Sequence, residues 1–406
     1  MSDIWDRNPL GLAGSRVIDR RIYVDPAIYE AEIEKVFAGA WQWICHETEI
    51  RNPGDYVTAT IARRPIAVCR GRDGGIAAFI NSCSHRGAVL APHPRGNNPG
   101  GFVCFYHGWC FGTAGELLAA PIDAAYGGNL EKACYDAPKV RCETFAGHVF
   151  ISLDPGQAPL AEFLGESGPL IEQFTGRHEA LGRVRWMIKG NWKLWHENFR
   201  DNYHPMFTHP VIGANYQGVK IEGVCRDLGA GHSLLAFPSQ GNPDSIRSRI
   251  KRLTGEAGET GLRRSGGSPG ASPHHYIMAV FPNLDFQNSG EGRIQNVLQT
   301  VRPLAIDRAV VEIVAFGEIG EPEDVRQGRL DRCLDGQTSA GKISGDDAEA
   351  ARRCSAGFGA HRELGWSNMD RGQAPGSVGT KNDEYSLRGF YELYKTYLGQ
   401  SLQAVN

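Results

Sequence analysis

Two cysteine–histidine pairs stand in the first third of the chain: Cys83-Ser84-His85 and Cys104-Phe105-Tyr106-His107, with eighteen residues between them. Two thiolates and two imidazoles form the ligand set of a Rieske-type [2Fe–2S] cluster, with the cysteines on one iron and the histidines on the other. Exchanging anionic thiolates for neutral imidazoles lowers the charge around one iron and raises its reduction potential. The same side chains suit a structural zinc ion, so the count alone leaves that alternative open. The spacing favours iron–sulfur, because zinc pairs are separated by about two to four residues, and a single residue separates Cys83 from His85. Gly87 and Gly108 follow the histidines, and without a Cβ they let backbone amides approach cluster sulfurs.

A second concentration of possible ligands runs from Gly190 to His209 and contains His196, Glu197, Asp201, His204 and His209. On a straight helix His204 and His209 would lie about 140° apart and could not share an ion. Pro205 gives a reason for distortion, since it cannot donate to the carbonyl of Asp201. A broken or π-bulged helix would let both imidazoles converge. Two histidines and a carboxylate make the facial triad of mononuclear non-haem iron(II) oxygenases, with open positions for O2 and substrate. A helix carrying surface histidines is the plainer alternative.

Several elements must position these groups. Asp25-Pro26 opens a helix whose Tyr29, Ile33, Val36, Phe37 and Ala40 share one face. From Trp41 to Leu153 the pattern turns to short strands, with a hairpin of 65–70 and 76–80 around Asp73-Gly74-Gly75. Asp154 to Pro159 reads as a connection between domains. Beyond it, 294–301 and 309–316 read as strands joined by Arg302–Arg308, and 276–281 as a third, which suggests an antiparallel sheet. The Gly/Ser-rich stretch 255–272 reads as a loop over a pocket, and 383–398 as a closing helix with Leu387, Tyr391, Tyr394 and Leu398 on one face.

These motifs together resemble the large (alpha) subunit of Rieske non-haem iron aromatic-ring-hydroxylating oxygenases. The pieces are Cys83-x-His85-Arg86-Gly87, Cys104-x-x-His107-Gly108-Trp109, Asn191-Trp192-Lys193-Leu194 and Glu197-Asn198-x-x-Asp201-x-Tyr203-His204-x4-His209. The resemblance implies an α+β chain in which an all-β Rieske domain is inserted in a catalytic domain with an antiparallel sheet wrapped by helices. Residues 1–40 would be the N-terminal helical part of the catalytic domain, 41–156 the Rieske domain and 157–406 the catalytic non-haem iron domain. It implies Cys83, His85, Cys104 and His107 as cluster ligands, and His204, His209 and Asp347 as ligands of Fe(II), with Asp346 as helix N-cap. Asp201 would join His204 to a cluster histidine of a neighbouring subunit, His107 rather than His85. Asn198 and Phe199 fall at pocket positions. The His85–Cys104 gap is about one residue longer than the family pattern, and Phe105 stands where proline is common.

The implied activity is O2-dependent hydroxylation of a small aromatic substrate, to a cis-diol or a phenol. Electrons would come from an NAD(P)H-dependent reductase, with or without a ferredoxin, since the chain carries no dinucleotide or flavin fingerprint. The segment 384–391 resembles the branch acting on aromatic acids such as salicylate, anthranilate and terephthalate, with Arg302 or Arg388 as a carboxylate partner. The form around Asn198 and Asp201 resembles enzymes with a small beta subunit, so α3β3 is favoured over α3. A net charge of −3 gives no case for nucleic acid, and no apolar run reaches membrane-span length. Ten cysteines without an export signal read as cytoplasmic thiols plus cluster ligands, the eight outside the cluster as small buried hydrophobes. A Rieske electron carrier without oxygenase activity and a zinc-stabilised interaction protein are the competing readings.

Overall fold

The computed structural model describes residues 16–127, 130–210, 223–238, 274–289, 295–372 and 378–402. The chain divides into a unit of Ile33–Leu160 and a unit of Met1–Glu32 with Ala161–Asn406. The first is wider at both ends than the 41–156 expected. Its ends are fastened to each other: Leu153 N donates to Ala38 O at 3.1 Å, and Trp41 Nε1 to Ala158 O at 2.9 Å. Helix α1 (Pro26–Ala31) starts where Asp25 accepts from Ala27 N, then widens into a π-helical turn over Glu32–Phe37. Tyr29, Ile33, Val36, Phe37 and Ala40 are all buried, as the face pattern requires.

The Ile33–Leu160 unit is β-rich. Its seven-stranded sheet runs Gln42–His46, His148–Ser152, Lys139–Phe145, Ile76–Ile80, Arg64–Arg70, Asp55–Ile61, Arg95–Asn97. The expected hairpin closes through Gly74 at φ +83°, a backbone region open to glycine. A three-stranded sheet of Phe102–Val103, Cys110–Phe111 and Leu117–Ala119 flanks the second Cys–His loop. Tyr56, Phe79, Phe102, Trp109, Phe111 and Leu117 pack with Cys83 and Cys104 in one core. Both loops therefore stand on close-packed aromatic side chains.

The larger unit is built on an eight-stranded antiparallel sheet, ordered His178–Lys189, Arg308–Glu318, Gln295–Ala305, Leu284–Ser289, His274–Val280, His232–Pro238, Val224–Gly229, Val378–Thr380. The 302–308 connection expected from the sequence is mostly ladder. Arg302 pairs with Val310 and Pro303 with Ala309, and an irregularity between Pro303 and Ala305 absorbs the proline that lacks a donor. Trp186, Asp285, Gln299 and Val311 alternate onto one face. Helix α2 (Trp192–Asn198) lies there: Trp195 meets Trp186 at 5.8 Å and bonds Gln299, and His196 Nδ1 lies 3.0 Å from Asp285 Oδ2. One-turn helix α3 (Pro205–Thr208), α4 (Ser344–Gly357) and closing helix α5 (Tyr385–Leu402) follow. Leu387, Tyr391, Tyr394 and Leu398 of α5 are buried, as read from the sequence.

The loop expected at 255–272 lies outside the described residues. Among the described residues no helix is long and apolar enough to cross a membrane. Cys45, Cys69, Cys225 and Cys333 are buried, but Cys134 and Cys354 are exposed and Cys110 and Cys142 intermediate, so the buried-hydrophobe reading holds for only some of them. Cys134 lies in a surface 3-10 turn (Lys132–Tyr135), where no core is available to it.

Candidate metal centres and their supporting residues

The two Cys–His loops repeat one hydrogen-bond pattern. Cys83 N donates to Ala88 O (2.7 Å) and Gly87 N to Cys83 O (2.8 Å); Cys104 N donates to Trp109 O (2.8 Å) and Gly108 N to Cys104 O (2.9 Å). Each turn closes through a left-handed glycine, Gly87 at φ +76° and Gly108 at +72°. The cysteines are buried. The rings of His85 and His107 lie 4.5 Å apart, and Trp109 stacks flat on His85 at 4.9 Å. Nδ1 of both histidines is buried without a hydrogen-bond partner among the described residues. A buried nitrogen left in that state costs about 1–3 kcal/mol unless something binds it. Burial and the neighbouring Cys104 raise the Cys83 thiol, against backbone amides of His85 and Arg86 that favour its anion. Two orphaned imidazole nitrogens beside two buried thiols fit a [2Fe–2S] group.

In the catalytic unit the helix breaks earlier than Pro205. Helix α2 ends at Asn198, and Pro205 opens α3 instead of interrupting a longer helix. His204 and His209 therefore cap the two ends of a single turn, His209 in extended backbone (φ −105°, ψ 101°). This turns both imidazoles toward Asp347 in the first turn of α4. Asp347 Oδ1 lies 3.5 Å from His204 Nε2 and 3.3 Å from His209 Nε2. One ligand atom from each of His204, His209 and Asp347 lies within 4.8 Å of the others. Donors about 2 Å from a shared ion are spaced in this way, so the three residues fit a mononuclear iron.

Each imidazole has a carboxylate behind it. Asp201 Oδ2 is 3.4 Å from His204 Nδ1, near enough for charge attraction but outside hydrogen-bond geometry. Asp346 Oδ2 is 3.3 Å from His209 Nδ1. Asp346 was expected as the N-cap of α4; that position belongs to Ile343, and Asp346 turns toward His209 from within the first turn. The Asp346 hydrogen bond fixes the His209 tautomer that presents Nε2 to a metal, and Asp201 favours a proton on His204 Nδ1 by charge. Burial pushes the His204 imidazole down, but Asp201 and Asp347 outweigh it and raise it to about 9. Burial likewise raises Asp347, and the two histidines bring it below the usual carboxylate range. Without an ion, His204 holds a proton between the two carboxylates.

Asn198 and Phe199, expected as pocket residues, are differently engaged. Asn198 Nδ2 donates to Asp347 Oδ1 at 3.1 Å, and Phe199 is buried against Trp195 at 6.0 Å. The pairing of Asn198 with Asp347 crosses from α2 to α4, and no local spacing signals it. The Asn191-Trp192-Lys193 motif anchors α2. Asn191 caps the helix and reaches Tyr23 O and Ile306 O, while Trp192 and Lys193 bond the fully buried Glu32. Arg302 and Arg388 have partners within the chain. Arg302 faces Glu312 at 3.5 Å on the sheet face opposite Trp186 and α2. Arg388 donates to the carbonyls of Met369, Arg371 and Gly372.

A β-rich unit with a mixed Cys/His site and an antiparallel sheet carrying a two-histidine, one-carboxylate site define a Rieske non-haem iron oxygenase. The chain belongs to the ring-hydroxylating oxygenase alpha subunits: the Rieske [2Fe-2S] domain family matches residues 40–136, and the ring hydroxylating alpha subunit (catalytic domain) family residues 175–400. It is 30% identical to toluate 1,2-dioxygenase subunit alpha of Pseudomonas putida over 87% of this chain and 81% of that one. It is 29% identical to the 2-halobenzoate 1,2-dioxygenase large subunit of Burkholderia cepacia over 92% and 83%. The crystal structure of naphthalene 1,2-dioxygenase from Rhodococcus sp. bound to indole superposes with a TM-score of 0.80, 25% identity and 94% coverage of both chains. The protein thus carries a Rieske cluster and a non-haem iron, which excludes the zinc-stabilised module and the bare electron carrier.

Proposed function

We propose that this subunit hydroxylates the ring of an aromatic carboxylic acid, with Cys83, His85, Cys104 and His107 holding the cluster and His204, His209 and Asp347 the ferrous ion. The observation that carries the assignment is the convergence of Nε2, Nε2 and Oδ1 of the latter three, each imidazole backed by its own carboxylate. When bound, the two groups supply one-electron storage and dioxygen activation at an iron with open positions. The chain's residues do the rest: Asp346 and Asp201 orient the imidazoles, and Asn198 orients Asp347.

Electrons come from an NAD(P)H-dependent reductase, with or without a ferredoxin, and cross from a cluster in one subunit to iron in the next through Asp201. Phe105 and Tyr106 within the second Cys–His loop, and Val103 just before it, are exposed, an apolar surface suited to a second copy. An α3β3 assembly with a small beta subunit is the favoured form, and free cysteines throughout suit the cytoplasm.

The toluate and 2-halobenzoate relatives support an acid substrate. A neutral arene is the second reading, favoured by the commitment of Arg302 and Arg388 to partners within the chain. Oxygen uptake with a reconstituted reductase, over aromatic acids and neutral arenes with NMR of the products, separates the two. Turnover of aromatic acids is expected, and turnover confined to neutral arenes would overturn the acid assignment.

A further inference from the structure

Asp201 is gripped within its own chain. Its Oδ1 accepts from Tyr203 N at 2.8 Å and from Arg371 Nη2 at 3.0 Å, and its Oδ2 accepts from His204 N at 3.3 Å while facing His204 Nδ1. The arginine is itself held before it reaches Asp201. Its Nε donates to Asn382 O at 3.0 Å, Nη2 lies 3.2 Å from Glu384 Oε1, and its backbone N donates to Glu384 Oε2 at 2.7 Å. The guanidinium lies 4.2 Å over the Tyr203 ring.

An isolated ion pair on a partly exposed surface contributes little, because two flexible side chains must be ordered. Here Asn382, Glu384 and Tyr203 have already fixed the cation, so little further entropy is lost when it meets Asp201. Charge adds a second reason. Asp201 and Glu384 share this guanidinium, and removing it leaves two carboxylates facing one another without a cation between them. Asp201 would then turn to water and leave His204 Nδ1.

We propose that Arg371 is the positioning residue that holds Asp201 against His204, and so sets both iron binding and electron arrival at that site. The proposal rests on the reading of Asp201 given above and adds a residue to it. The side-chain contacts of Arg371 are to Asp201, Asn382, Glu384 and Tyr203, and it reaches the proposed ligand His204 through Asp201.

The test compares Arg371→Met, Arg371→Lys, Asp201→Asn and the double variant Arg371→Met/Asp201→Asn. The Fe(II) dissociation constant of iron-depleted protein is titrated beside steady-state kinetics. Arg371→Met is expected to weaken Fe(II) binding about tenfold, the usual effect of losing a partner behind a ligand. It should lower kcat by a similar factor with KM for the aromatic substrate unchanged, and Arg371→Lys should recover part of both. The double variant should match Asp201→Asn, since both changes remove the same contact. If Arg371→Met matches wild type while Asp201→Asn is impaired, the role of Arg371 falls and that of Asp201 stands. Wild-type behaviour of Asp201→Asn would sink both, and additive losses would show that Arg371 acts elsewhere. The visible cluster spectrum reports folding, and Arg371→Gln replaces the methionine variant if that fails to assemble.

Discussion

At the scale of single residues, the metal sites are defined by what stands behind each ligand. His204 and His209 occupy opposite ends of one helical turn, which leaves each Nδ1 facing an acid from a different part of the chain. Asp346 is adjacent to Asp347, the proposed ligand, yet faces a different group, because consecutive helical residues point about 100° apart. That places Asp347 between the imidazoles and Asp346 outside them, against His209 Nδ1. Asp346→Ala is therefore expected to weaken Fe(II) binding by about 10-fold or more while leaving the cluster spectrum unchanged. Fe(II) titration of the iron-depleted protein measures this. Unchanged affinity would show that Asp346 is a solvated acid and nothing more.

At the scale of elements, α2 is a short helix tied at every turn: Asn191 at its start, Lys193 and Trp192 to Glu32, His196 to Asp285, and Glu197 to the hydroxyls of Tyr23 and Tyr391. Burial raises Glu197 to about 7 from an ordinary 4.5, against the tyrosines and Lys193, which favour its anion. The sign follows from linkage. Below pH 4.5 the group is protonated folded or unfolded; between 4.5 and about 7 the unfolded chain ionises first, and stability falls as pH rises. Some water reaches the side chain, so the loss is on the order of 1–3 kcal/mol. Glu197→Gln still accepts both tyrosine hydroxyls and is expected to gain that amount over wild type at pH 8 and almost nothing at pH 4.5. Urea unfolding at the two pH values measures it, and an equal difference at both would refute the buried-acid account.

What could be read from the sequence divides at the same scale. The two Cys–His loops stand out in the sequence because two candidate ligands and the glycine that closes the turn lie within five residues, Cys83 to Gly87 and Cys104 to Gly108, so local spacing carries the turn geometry. The closing helix was legible from the period of Leu387, Tyr391, Tyr394 and Leu398. The break between α2 and α3 was placed too late, because Pro205 reads equally as an interruption or as a first helical residue. The strand hidden in 302–305 was lost to Pro303, which a ladder irregularity accommodates. The links from Asn198 to Asp347, Asp346 to His209 and Arg371 to Asp201 span 137 to 170 positions. Pairings that distant leave no periodic mark, and only the fold reveals them.

At the scale of the whole molecule, the proposal that electrons cross between subunits makes a demand on assembly that one chain cannot meet alone. His107→Ala removes a proposed cluster ligand but leaves the proposed iron site and Asp201 intact, whereas Asp201→Asn keeps the cluster and spoils the receiving side. Each homogeneous variant should be nearly inactive. In mixed rings assembled from equal amounts, a productive junction needs the intact cluster of one variant beside the intact Asp201 of the other. Random mixing gives that arrangement at about a quarter of the junctions in a cyclic trimer. Activity near a quarter of wild type per iron, appearing only when the subunits are co-assembled, is the expected result. Were electrons to pass within a chain, no junction would be complete in either variant, and the mixture would stay as inactive as its parts. Rings of variants combined after assembly give the control, since without exchange of subunits they should recover nothing.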